Sequence, residues 1–251
     1  MRIAVAGGTG VVGRHVVGAA ERAGHDVVVL ARSTGVDLLT GQGLAGALRG
    51  ADAVIDAANS GTTLSAAKAT AFFETATRNL LTAEPEAGVG HHVALSIVGI
   101  DDIDASYYAG KLAQERMVAA GPVPFTIARA GQFHEFAGQL LSGMGGPVAL
   151  LPKILMRPVA AREVGEHLVR VAEGGAVGRA ADLVGPRDEV LADVARRQLA
   201  FDGARRPVIE VRLPGVYGRG LASGSLRGGA DAVRGRITFD EWLRSEDHGR
   251  G

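Results

Sequence analysis

Short apolar runs alternate with longer stretches of helical spacing through the first half of the chain. Ile3–Ala6, Val27–Leu30, Ala53–Ile55, Val93–Ser96 and Phe125–Ala128 carry no charged side chain, which predicts strands buried on both faces. Between them, Val11–Ala23, Gly43–Leu48, Leu64–Ala83 and Tyr107–Ala119 read as helices. Strand, helix, strand at this spacing calls for a parallel sheet with right-handed crossovers and helices on both faces. The connections are punctuated accordingly: Ala23-Gly24-His25 ends a helix, and Gly121-Pro122-Val123-Pro124 separates a helix from the next strand.

Beyond Arg129 the rhythm loosens. Gly143–Pro147 predicts a turn, Pro158–Ala160 a short strand and Arg162–Ala172 a helix. Leu183–Pro186 and Val208–Val211 suggest short strands around a helix at Leu191–Ala200. Gly215–Gly235, rich in Gly, Ser and Arg, predicts a mobile loop, after which Thr238 is a suitable N-cap for a helix through Leu243. No internal repeat is present. The expected architecture is α/β: a Rossmann-like, doubly wound parallel sheet with a smaller C-terminal extension on the substrate side. One domain would span residues 1–251, its core lying over about 1–150 and its substrate-side elements over about 130–251.

Charge and composition narrow the function. Lys plus Arg and Asp plus Glu are both 27, which argues against a basic footprint for nucleic acid and against a polybasic membrane anchor. The absence of cysteine removes disulfides, cysteine-ligated metals and thiol catalysis. No apolar segment approaches the roughly 18 residues that span a bilayer, and no targeting segment is visible, so a cytoplasmic protein is expected. Glycine reaches 37 residues, about twice the usual share of ~7%. Lysine is confined to Lys68, Lys111 and Lys153.

The first glycine cluster has a chemical reading. Gly7-Gly8-Thr9-Gly10-Val11-Val12-Gly13 follows the first strand and opens the first helix, fitting G-x-G-x-x-G through Gly8, Gly10 and Gly13. Such glycines allow a tight turn, close approach of backbone N–H groups to a pyrophosphate, and close helix–sheet packing. The helix N-terminus adds partial positive charge for the anion. At the end of the second strand, where an NAD-specific site usually carries an acid, stand Arg32 and Ser33. A guanidinium suits a 2′-phosphate, so NADP(H) is the expected cofactor, with Arg14 able to assist.

A second constellation lies further on. Ser96 ends the fourth strand, on the edge where open parallel sheets place their ligands. Tyr107 and Lys111 stand four residues apart on one helix face, in a chain with three tyrosines. Together the three side chains suit carbonyl reduction. The lysine ammonium would lower the pKa of the tyrosine toward useful acid–base chemistry and could hydrogen-bond the nicotinamide ribose, and the serine hydroxyl would hold the carbonyl. Tyr108 is a competing proton donor, three residues from Lys111.

These motifs resemble those of the NmrA-like, NAD(P)H-binding group of atypical short-chain dehydrogenases/reductases. His92-Val93-Ala94-Leu95-Ser96-Ile97-Val98-Gly99, Tyr107–Glu115 and Phe125–Phe133 carry the resemblance, which extends over about residues 1–185. It implies a Rossmann-like core, NADP(H) and, in many members, reduction of a small carbonyl or quinone-type substrate. Two alternatives stay open: a non-catalytic NADP(H)-sensing regulatory or binding protein, or an epimerase or dehydratase with tightly bound cofactor. Asp37 stands where related proteins contact the adenine. Ala57, Ala58 and Asn59 follow the third strand and are expected to line the cofactor cleft. Gln132, Phe133 and Phe136, with His134 among them, follow the fifth strand as candidate substrate contacts. No metal site is expected, because His91 and His92 are adjacent on a strand and point to opposite faces.

Overall fold

In the computed structural model, which describes residues 1–61 and 65–250, the apolar runs become five strands: β1 (Arg2–Ala6), β2 (Asp26–Leu30), β3 (Ala53–Asp56), β4 (His91–Ile97) and β5 (Phe125–Ala130). They align in the order β2-β1-β3-β4-β5. The pairings of β1 with β2 and β3, and of β3 with β4, are parallel. Interior β3 is buried at every residue, whereas β2, at the edge, is only partly covered. The crossovers are helices α1 (Gly13–Arg22), α2 (Leu44–Ala47), α3 (Ala66–Ala87) and α4 (Ser106–Ala119). The predicted start of the third helix, Leu64, lies outside the described residues.

Helix α3 is held at both ends by its sequence. Ser65 accepts a hydrogen bond from the Lys68 N–H as N-cap, and Gly88 closes the helix in the left-handed region at φ 77°. Its buried stripe, Ala69, Phe73, Ala76 and Leu80, has helical spacing. Helix α4 meets that stripe at Gly110, where a Cβ would sit 2.7 Å from the Ala69 carbonyl carbon and 2.8 Å from the Phe73 ring. A glycine here is therefore a packing requirement, and it brings the next residue, Lys111, over the Phe73 ring.

The remaining elements are α5 (Phe136–Gly143), β6 (Ala149–Pro152), β7 (Leu155–Met156), α6 (Ala161–Glu173), β8 (Gly178–Arg179), β9 (Leu183–Val184), β10 (Glu189–Val190), α7 (Leu191–Phe201), β11 (Val208–Val211), α8 (Gly215–Ala222), β12 (Val233–Arg234) and α9 (Phe239–Leu243). The described residues fall into two units. The first comprises residues 1–96, 104–129 and 164–181, and includes β8 paired with β5. The second comprises residues 97–103, 130–163 and 182–251. Within it β6 pairs β11 in parallel, β7 pairs β10 antiparallel, and β9 pairs β12 in parallel. Its core includes Phe239 and Trp242, stacked at 5.5 Å and packed against buried His134. Burial pushes the His134 imidazole down to about 4, against the hydrogen bond its Nε2 donates to the Ile237 carbonyl.

Two predicted elements need correction. Pro158–Ala160 makes only an isolated bridge between Val159 and Phe133, since Pro158 has no N–H to extend a ladder. Gly215–Gly235 is not a structureless loop: it contains α8, a 3₁₀ turn at Ser225–Arg227 and β12. Gly218 and Gly220 serve close packing. A Cβ on Gly218 would lie 1.8 Å from the Leu213 carbonyl oxygen, and one on Gly220 2.7 Å from Ile103.

Candidate functional site

The site is built where the strand order reverses, at the carboxyl ends of β1 and β3. Gly7 turns the chain there in the left-handed region at φ 71°, and a Cβ on it would lie 2.8 Å from the Ala57 carbonyl oxygen. A Cβ on Gly13 would fall 2.0 Å from the Gly7 carbonyl oxygen, so only glycine lets α1 begin this close behind the turn. Gly8 is tight against Val29, while Thr9 and Gly10 are exposed. Among the described residues, the N–H groups of Thr9, Val11 and Val12 donate to no backbone carbonyl. They lie at the N-terminal end of α1, so this donor set fits a pyrophosphate. The Gly7 N–H donates to the Leu30 carbonyl at the end of β2, which is followed by exposed Arg32 and Ser33 in a 3₁₀ turn. Asp37 is engaged otherwise: its Oδ1 accepts from the N–H groups of Leu39 and Thr40 and shapes its own loop.

The loop touched by the glycine turn leads directly to the tyrosine. Asn59, two residues beyond Ala57, accepts a hydrogen bond from the Tyr107 hydroxyl at 3.0 Å. The Tyr107 ring stands edge-on to Phe73 at 5.6 Å and to Tyr108 at 6.3 Å. Tyr108 is itself buried. The glycine turn, Ala57, Ala58, Asn59 and Tyr107 thus lie together in the first unit.

Lys111 is buried one turn further along α4. Its ammonium donates to the Leu95 carbonyl at 2.6 Å and to Gln114 Oε1, and lies 4.5 Å from the centre of the Phe73 ring. Gln114 in turn donates from Nε2 to Asp56 Oδ2 at 2.8 Å. The other carboxylate oxygen of Asp56 accepts from the Ala58 N–H at 2.9 Å. Burial pulls the lysine down to about 8, against the charges of Asp56 and Glu115. The expected lowering of the tyrosine pKa is reversed: burial, aided by the negative charge of Asp56, pushes Tyr107 well above its ordinary value. The physical reason is that the Lys111 donors are directed to Leu95 and Gln114, while the phenol is bound by a neutral amide. Ser96, on the same strand as Leu95, is buried with its hydroxyl unpartnered among the described residues.

Gln132, Phe133 and Phe136 lie in the second unit. Gln132 is buried and neither amide atom has a partner among the described residues. Phe133 is tied by its backbone to Val159, and Phe136 begins α5. His91 and His92 diverge as strand neighbours do, His91 toward Thr126 and His92 toward Glu84. Two residues of the site escaped the sequence reading. Asp56 is the acid at the carboxyl end of β3, a position where ligand-site groups are expected, and Gln114 follows Lys111 by three on the same helix.

Comparison with known proteins bears on the fold and on dinucleotide binding. Residues 33–142, which begin directly after Arg32 and leave out the glycine turn, match the family described as NAD(P)H-binding. The NADPH-dependent quinone oxidoreductase QOR2 of Escherichia coli, complexed with NADPH, superposes with a TM-score of 0.70 at 18% identity, covering 96% of this chain and 98% of that one. The UDP-glucose 4-epimerase of Thermus thermophilus, complexed with NAD, gives 0.69 at 19% identity, covering 98% of this chain and 100% of that one. A short-chain dehydrogenase/reductase superfamily protein from Agrobacterium tumefaciens with bound NAD gives 0.65 at 20% identity, with coverages of 100% and 97%. No curated protein matches the sequence. Residues 33–142 thus resemble an NAD(P)H-binding domain, and the chain has the Rossmann-like α/β fold of these structures. No described helix is long and apolar enough to cross a membrane.

Proposed function

We propose that the protein is an NADPH-dependent oxidoreductase that reduces a small carbonyl or quinone-type substrate. The observation that carries this reading is the hydrogen bond from Tyr107 to Asn59, which sets a protonated phenol beside the loop that meets the dinucleotide turn. A bound nicotinamide would supply the hydride. Reduction also needs a proton, and a phenol whose pKa lies above its ordinary value remains a donor throughout the neutral range. The unpartnered Ser96 hydroxyl can hold the substrate oxygen, and the Lys111 ammonium adds positive charge on the tyrosine's own helix. The quinone oxidoreductase likeness agrees with the substrate class. A second reading, an NADP(H)-responsive binding protein, is favoured by the engagement of Lys111 with Leu95 and Gln114.

The test is thermal stabilisation by NADPH and NADH, followed by NADPH oxidation across a panel of aldehydes, ketones and quinones. Stabilisation grows with the logarithm of ligand concentration over Kd, so it ranks the two cofactors. NADPH is expected to stabilise more and to be consumed with at least one acceptor. Stabilisation without consumption across the panel would favour the binding protein. Exposed Arg32 is the expected 2′-phosphate contact, and Arg32→Asp should weaken NADPH binding by about 10- to 100-fold while leaving NADH nearly unchanged. An unchanged ratio of the two dissociation constants would refute the assignment of Arg32.

A further inference from the structure

Of the buried chain Asp56–Gln114–Lys111, only the lysine has a part in the reading of the site as a serine, a tyrosine and a lysine. Its three residues come from two elements: Asp56 ends β3, while Lys111 and Gln114 share one face of α4. Each is at most 4% exposed. An isolated charge at such depth is costly unless it is paired or richly hydrogen-bonded. Two carboxylates act on the Lys111 ammonium, and they differ in their commitments. Glu115 is held by Arg129 through two hydrogen bonds of 2.7 Å. Asp56 forms no ion pair among the described residues; it receives one bond from the Ala58 N–H and one from the Gln114 amide. Facing from α3, Phe73 offers only its ring.

Gln114 is suited to join the two charges. Its N–H donates to the carboxylate while its carbonyl accepts from the ammonium, so each bond polarises the amide in the direction that strengthens the other. The ammonium has three donors, of which the Leu95 carbonyl and the Gln114 carbonyl take two.

We propose that Gln114 is a positioning residue, which relays the charge of Asp56 to Lys111 and pins the ammonium at the Leu95 carbonyl. This holds for Lys111 whatever the protein's reaction; only its consequence for turnover rests on the reductase reading. The relay keeps a buried lysine charged near neutral pH without a carboxylate in direct contact. A direct ion pair at that depth would bind the ammonium in competition with substrate or cofactor oxygens.

The scarcity of lysine makes a direct test practical. Lys111 shares the chain with only Lys68 and Lys153, so ε-¹³C-labelled lysine gives three resonances, and Lys111→Met identifies the relevant one. The full-length protein is titrated as wild type, Gln114→Met, Asp56→Asn and the double variant. Lys111 should lose its proton at lower pH than the other two lysines. Gln114→Met should lower its midpoint by about one pH unit, a roughly tenfold loss of proton affinity. Asp56→Asn should act similarly, and the double variant should be no lower than the lower single variant, as members of one relay behave. An unchanged Lys111 midpoint in Gln114→Met overturns the proposal. So does a full Asp56→Asn effect in the Gln114→Met background, because the carboxylate would then act without the amide. If the midpoint moves as expected but the pH dependence of NADPH oxidation does not follow it, the relay stands and Lys111 loses its role in reduction.

Discussion

Tyr107→Phe is expected to lower the turnover of NADPH-dependent reduction by about 10²- to 10⁴-fold, the usual contribution of a positioned general acid. The substitution removes one oxygen and little else. The ring keeps its edge-on contacts with Phe73 and Tyr108, and the amide that loses its donor, Asn59, is exposed and can turn to water. Stability and the dissociation constant for NADPH should therefore change little, with the loss appearing in kcat. Tyr108→Phe should retain most turnover, which separates the two adjacent phenols. The pH profile carries a further constraint. Tyr107 titrates above its ordinary value, so it cannot cause a decline in rate near neutrality; Lys111, at about 8, can. Rates should be level below that value and fall as the ammonium is lost above it. Steady-state kinetics of the two variants across pH 6 to 10 provide the measurement. Full turnover in Tyr107→Phe would remove the tyrosine from the mechanism.

The placement of Tyr107 and Lys111 on one helix was legible because it depends on spacing within α4: the two lie four apart wherever that helix packs. The relay was not, because Asp56 and Gln114 meet only once β3 and α4 are in place. Strands β1 to β5 were legible for a similar reason, since each shows as an apolar run with Asp, Glu, Lys or Arg only near its ends. Asp56 is one of these end residues, and its burial is tolerated through two donated hydrogen bonds. After Arg129 helical spacing registers in α6 and α7, while most other elements are too short for periodicity to show. Helix α5 and strand β6 were not predicted, and Gly215–Gly235 was expected to be a mobile loop. Glycine content alone does not distinguish a flexible segment from one packed too closely for a side chain. At Gly218 and Gly220 the neighbouring atoms decide for packing.

Glu84→Leu is expected to cost about 3–5 kcal/mol of stability near pH 6, as removal of one member of a buried ion pair usually does. Glu84 on α3 and His92 on β4 are both wholly buried and meet through a 2.7 Å hydrogen bond donated by His92 Nδ1. Their remaining atoms, Glu84 Oε2 and His92 Nε2, have no partner among the described residues. Burial by itself lowers the pKa of His92, but the hydrogen bond and charge of Glu84, with Asp56 assisting, raise it above 6.5. A raised folded-state pKa fixes the sign. The contribution of the pair is complete below the unfolded value and is lost as pH rises through the folded one. The difference between wild type and Glu84→Leu in urea denaturation should therefore narrow toward alkaline pH. Glu84→Leu combined with His92→Leu should recover most of the loss, because two apolar groups of similar size remove both desolvated charges together. If the double variant is as unstable as the single one at pH 6, the cost lies in packing rather than in an orphaned charge. A recovered double variant would assign the pair to registry. β4 also carries the Leu95 carbonyl that receives the Lys111 ammonium, so a shift in the Lys111 titration midpoint of that variant would be its signature.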